Sequence, residues 1–470
     1  MKRMLKKVIA AAAVCSLVYM AGGQSAYMAE SSSLVKTDVP PANQAEVELW
    51  RNAVRSEAKT ITTIKPGQNG SFADLNFLKT ILADKRIVSL GEASHGASEY
   101  NSMKVRLVQY LHEELGYNVI AFESNLGDMA AAYAQIHNKS PEETMKKSVI
   151  RSWQVEENLA LFEYIAKQRN TEHPLILTGF DAQGTSEPFI DFAEQWFAGV
   201  DPKKAEAFAA TERWYFKLSM ISDLEQFNAQ KDKIKQKYNI FQEFVKAHRT
   251  ELSKAYPDQP ELVSVMERIL QNRLDMLDSY HVYLVKMVAG IDTEKQFKEL
   301  NYERDRVMAS NVAWLADTAY PNEKIIIWGH NYHVRKSNST MITEHNGYDY
   351  DSHPYPSMGE MLPLSLKKAG YVIGLYAYQG SSNKSNGEAE KIILPHEAGS
   401  VEDIFGPDQQ GAVRFFDMKN AVWSKPDAWM FTPRIAKAWG VLDEIMIPRE
   451  QYDGILFFDT IHPSHRITAK

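Results

Sequence analysis

"RIVSLGEASHGASEY", residues 86–100, joins a run of β-favouring apolar residues to a Gly-Glu-Ala-Ser-His-Gly cluster. Five more such runs follow: "NVIAFE" (118–123), "PLILTGFD" (174–181), "KIIIWGH" (324–330), "YVIGLYAY" (371–378) and "GILFFD" (454–459). Apolar runs without polar alternation suit strands covered on both faces. Amphipathic helical patterns lie between them, so the order predicts an α/β fold with a three-layer core around a mostly parallel sheet.

Residues 191–318 break that alternation. In "ELVSVMERILQNRLDMLDSY" (261–280), Leu262, Met266, Ile269, Arg273 and Leu277 recur at threes and fours behind Pro257 and Pro260, the signature of a helix with one buried face. The spacing predicts a large helical bundle inserted between the third and fourth sheet runs. The expected organisation is a signal peptide (1–26), a flexible lead-in (27–45), a first core part (46–190), the insertion (191–318), a second core part (319–378), a small α+β segment (379–425) and a C-terminal return to the core (426–470). "GSSNKSNGEAE" (380–390) reads as an exposed hairpin or loop.

With 470 residues, 44% of them hydrophobic, the chain has material for a sizeable core. A net charge of -7 and the lack of a long basic block speak against a nucleic-acid binder. Lys2, Arg3, Lys6 and Lys7 precede an apolar stretch from Val8 to Met20 and then small residues. That pattern predicts export through a cleaved signal. The single cysteine, Cys15, falls inside it, so the exported protein is expected to fold without disulfides.

The ionisable residues fall at the ends of the apolar runs. Glu92 and His95 follow the first, Glu123 ends the second, Asp181 ends the third, and His330 and His333 follow the fourth. In an open parallel sheet, ligands bind beyond the carboxyl ends of the strands, so these residues are expected to build one site. The plainer reading gives an acid such as Asp181 the work of capping the next helix, and makes His345, His353, His396 and His462 structural. A neutral imidazole beside a carboxylate can take a proton from water at neutral pH. His95 with Glu92 or Glu123 fits that role, and His330 or His333 would polarise a carbonyl or protonate a leaving alkoxide. The chemistry is hydrolysis of an ester or lactone.

A serine hydrolase would need a G-x-S-x-G elbow, which is missing, and Ser94 adjoins His95 too closely in sequence to be its target. No H-E-x-x-H is present, and "HNYH" with "DYDSH" (349–353) is a weak ligand pattern. No phosphate-cradling loop, nucleotide fingerprint or redox thiol pair occurs, so no metal and no cofactor are expected. A metal-dependent envelope hydrolase or phosphoesterase, and a binding protein with the same cleft and no turnover, stay open as alternatives.

"LGEASHGASEY" (90–100), "VIAFES" (119–124), "GFDAQG" (179–184), "RDRVMASNVAWL" (304–315), "IIIWGHNYHV" (325–334) and "SMGEMLPLSLKKAGY" (357–371) occur together and in this order. In this the chain resembles the erythromycin esterase family, which opens the macrolactone ester of macrolide antibiotics. The resemblance implies a metal-independent hydrolase with His95 as general base, Glu92 and Glu123 as motif acids, and His330 and His333 as paired histidines. It also places Arg304 and Asp305 in a family motif. Position 94 is Ser where the family usually shows Thr, and an export signal sets this chain apart from an enzyme that protects ribosomes inside the cell. The expectation is an exported hydrolase of a small-molecule ester or lactone, with Asp181, Arg304 and Ser94 on the substrate, and with no nucleic acid and no membrane beyond export as partners. No feature reads on oligomeric state.

Overall fold

The structure is a computed structural model that describes residues 39, 40, 42–67, 72–343, 355–407 and 413–467. The segment read as a signal, most of the lead-in, His345 and His353 lie outside the described residues. The strands are β1 (Lys59–Ile61), β2 (Ile87–Leu90), β3 (Tyr117–Asn125), β4 (Ile176–Asp181), β5 (Lys324–Trp328), β6 (Ile342–Thr343), β7 (Gly370–Asn383), β8 (Ala389–Lys391), β9 (Val413–Asp417), β10 (Arg434–Ala438), β11 (Leu442–Met446) and β12 (Gly454–Ile461). Nine form one mixed sheet in the order β1-β9-β12-β7-β2-β5-β3-β4, with β8 on β7, and β10-β11-β6 form a second.

All six apolar runs become strands of the large sheet. The β12–β7, β7–β2 and β2–β5 pairs are parallel, whereas β9 and β1 add an antiparallel edge. Residues 379–425 supply β8, which turns back on the end of β7 as a hairpin, and β9, which pairs with β12. β9 carries Arg414 in an otherwise apolar run, a residue type that argues against a covered strand. Its guanidinium is buried because Asp459 of β12 accepts it at 3.0 Å.

The chain divides into two compact units. One comprises Ala121–Ile150 and Ile176–Asn322 and holds the bundle, from the Glu187–Ala198 helix to the Thr293–Trp314 helix. Phe189, Phe208, Tyr238, Phe241, Met266 and Ile269 meet in its core. The five residues picked out by periodicity in the Leu262–Asp278 helix are all buried. Arg273 belongs there because Glu212 accepts its Nη2 at 3.2 Å inside the core, and the Tyr238 hydroxyl also donates to Glu212.

The other unit comprises the described residues of 39–120, Arg151–Leu175 and 323–467. Its central strand β2 is buried along its whole length. It lies between β5, with Leu90 opposite Trp328, and β7, with Leu90 opposite Ile373. The loops leaving β2 and β5 therefore start side by side. No helix among the described residues is long and apolar enough to cross a membrane.

Candidate active site

The loop after β2 is squeezed between neighbouring backbone segments, which explains its two flanking glycines. A Cβ on Gly91 would lie 2.2 Å from Asn331 Oδ1, and one on Gly96 would lie 2.1 Å from the Asn383 carbonyl. Only a residue without a side chain passes there. Between them Glu92 turns inward and loses all exposure.

Three donors converge on that carboxylate. His95 Nδ1 is 2.6 Å and Trp153 Nε1 2.8 Å from Oε1, while Lys104 Nζ is 2.8 Å from Oε2. Lys104 comes from the Ser98–Leu115 helix that the loop leads into, and it sits 4.2 Å over the Trp328 ring. Trp153 lies on a single 3-10 turn, Arg151–Trp153. Because the ionised carboxylate only accepts, Nδ1 of His95 carries the proton and Nε2 keeps its lone pair. The His95 side chain is 16% exposed, enough to reach a ligand.

Three rings surround His95: Trp153 at 5.0 Å, His330 at 5.1 Å and Trp439 at 5.2 Å between centroids. His330 arrives from the loop after β5. Its Nδ1 accepts the Tyr332 amide and its Nε2 donates to the Ala93 carbonyl, both at 3.2 Å. The structure thus brings His330 beside His95, and these two bonds tie the β2 and β5 loops together. His333 is buried on the short Asn331–Val334 helix that His330 caps, edge-on to Tyr332, and is not one of the rings around His95.

Trp439 caps the arrangement. It stacks on His330 at 4.4 Å and 18°, and its amide donates to the Ala93 carbonyl. Its φ is 56°, a left-handed backbone that a non-glycine residue adopts only when its surroundings hold it.

Ser94 is buried, and its hydroxyl donates to Ser382 Oγ at 2.8 Å, which ties the loop to β7. It lines a small cavity together with Tyr100 and Lys437.

The remaining predicted residues meet in the other unit. Arg304 Nη2 bonds Glu123 Oε1 at 2.9 Å and Asp181 Oδ2 at 2.7 Å. Burial works against the guanidinium charge, but Asp181 and Glu123 outweigh it and hold Arg304 well above its ordinary range. Asp181 Oδ1 accepts the Gln183 amide as well, while the helix that follows, Glu187–Ala198, is capped by Ser186. The carboxylate on His95 is Glu92, and Glu123 serves Arg304. Among the described residues no three His, Cys, Asp or Glu side chains are grouped to hold a metal ion.

Sequence reasoning missed Lys104, Trp153 and Trp439. A lysine within a helix reads as a solvated residue, and the two tryptophans sit in stretches without a strand or helix pattern. The one available signal was Trp153 itself, a large apolar residue beside Arg151 in a polar turn.

The sequence profile of a family described as erythromycin esterase matches residues 112–461. A Bacillus subtilis (strain 168) protein named "Putative hydrolase YbfO" is 39% identical over 423 residues, which is 89% of this chain and 93% of that protein. Among solved structures, a Bacillus cereus protein superposes with a TM-score of 0.69 at 19% identity, covering 91% of this chain and 100% of that one. An erythromycin esterase, EreC, captured in its open conformation, gives a TM-score of 0.56 at 16% identity over 87% of this chain and 99% of that one.

Proposed function

The chain belongs to the erythromycin esterase family, a family of hydrolases, and from that premise we propose that it cleaves an ester or lactone by attack of a water activated at His95. The observation that carries this reading is the His95–Glu92 pair, a 2.6 Å hydrogen bond to a fully buried carboxylate. It leaves Nε2 as the basic atom. Water gives a proton to Nε2 while its oxygen bonds to the acyl carbon, and the carbonyl π pair moves onto oxygen. The tetrahedral intermediate collapses, the acyl–oxygen bond breaks, and the imidazolium returns the proton to the leaving alkoxide. The products are an acid and an alcohol, and His95 is regenerated.

Glu92 fixes the tautomer and stabilises the imidazolium, while Trp153 and Lys104 fix Glu92. No metal takes part in this scheme, so turnover is expected to persist after exhaustive chelation. The signal-like N-terminus supports action outside the cytoplasm. Erythromycin-like macrolides are the first substrates to assay, with simple aryl esters beside them.

The test is incubation of both panels with the wild type and His95→Ala, read by mass for the gain of one water. A lost general base costs about 10² to 10⁴ in rate, with circular dichroism unchanged. Near-normal turnover by folded His95→Ala refutes the assignment.

A further inference from the structure

After β12, residues His462–Ile467 cross two helix starts in succession. At the first, the Ser98 amide donates to the His462 carbonyl at 2.8 Å. Glu99 in turn accepts the His462 amide at 2.7 Å and its ring Nδ1–H at 2.6 Å. At the second, the Glu156 amide donates to the His465 carbonyl at 2.8 Å. Glu157 accepts the His465 amide at 3.1 Å and its ring Nδ1–H at 2.7 Å. One reciprocal arrangement is built twice, three residues apart.

Between the two, the Ser464 amide donates to the Gly96 carbonyl at 2.9 Å, and Asn383 Nδ2 donates to the Ser464 carbonyl at 2.6 Å. The helix starts so gripped follow directly on the two aromatic groups that donate to Glu92, since Ser98 lies three positions after His95 and Glu156 three after Trp153. On the inner side, Asn101 donates to the His95 carbonyl, and Asn158 donates to both Asn101 Oδ1 and the Trp153 carbonyl. The C-terminal segment closes the same ring from outside.

We propose that His462–Ile467 is a positioning clasp, in which the Glu99–His462 and Glu157–His465 pairs hold the His95 loop and the Trp153 turn in register on Glu92. Its effect on rate rests on the hydrolase reading; its effect on geometry does not. Both imidazoles are largely exposed, and when the rings are removed Glu99 and Glu157 keep the backbone amides of residues 462 and 465 as donors, so global stability changes little. The clasp acts on the relative placement of two segments, where small errors are costly to catalysis.

The test uses the full chain with 15N-labelled indoles, the Trp153 Nε1–H signal being assigned from Trp153→Phe. In His462→Ala/His465→Ala its exchange with solvent is expected to rise about tenfold or more, with circular dichroism and the unfolding midpoint held. The kcat on whichever ester the wild type cleaves falls about tenfold at nearly constant KM. His462→Gln/His465→Gln, which keeps an N–H donor at each position, restores both. Unchanged Trp153 exchange in the folded alanine variant overturns the clasp. Should that variant not fold, His465→Ala alone is measured in the same way. If the wild type cleaves no ester, the hydrolase reading falls, and the exchange result still decides the clasp.

Discussion

Glu92 holds a proton-bearing imidazole on one oxygen and a fully buried ammonium on the other. Removing one member of a buried pair strands the other charge, so Glu92→Ala is expected to cost about 3–5 kcal/mol. Adding Lys104→Met removes the stranded charge and recovers most of that loss, without recovering turnover. Urea unfolding and the ester assay separate the two effects. Glu402 presents the opposite electrostatic case. Burial lifts its carboxyl from the usual 4.5 to about 7, against the Lys437 amide that donates to it, and Oε2 has no partner. Below about pH 4.5 the group is neutral in both folded and unfolded chains. Between about 4.5 and 7 only the unfolded chain ionises, so stability falls as pH rises, by about 3 kcal/mol in all, and then levels. Unfolding free energies at pH 5 and pH 8 check this: the drop is smaller by that amount in Glu402→Gln. Nothing in "VEDIF" separates Glu402 from an acid in the exposed first turn of a helix.

The β10–β11 hairpin delivers Trp439 to the site from a tip with a left-handed tryptophan followed by Gly440 at φ 78°. Trp439→Ala and Trp439→Gly both remove the ring, but only alanine keeps the backbone strain. The glycine variant is therefore expected to be more stable than the alanine variant by about 1 kcal/mol. Both should lose turnover alike, since His330 and His95 lose the same stacked wall. Paired denaturation curves and kinetics decide it. This element shows where sequence reading stops. The six long apolar runs were legible because covering both faces imposes a continuous pattern. "AWGV" lacks an Asn-Gly turn signal, although Trp439 and Gly440 form a positive-φ turn closed by the Val441 amide on the Ala438 carbonyl, and the bond from the Trp439 amide to Ala93 joins segments far apart in sequence.

Across the molecule, the strand-end acids and histidines were legible one by one, since the fold class says which ends of the strands matter. Their partnerships were not, because they depend on strand order. β2 stands between β5 and β7, which places His330 rather than any nearer histidine beside His95, and the 2.6 Å bond to Glu92 rather than Glu123 follows from the local path of one loop. That order also has a temporal meaning. Ala93 and His330 are 237 positions apart, which at synthesis rates of roughly 5–20 residues per second means a wait of roughly ten to fifty seconds. For that interval β2 has left the ribosome with neither of its neighbours made. His95, Glu92 and the rings around them come together only after β5 and the β10–β11 tip have been made, and the His462–Ile467 segment follows later still. On the hydrolase reading, a chain that has not yet made these parts has no site with which to cleave an ester.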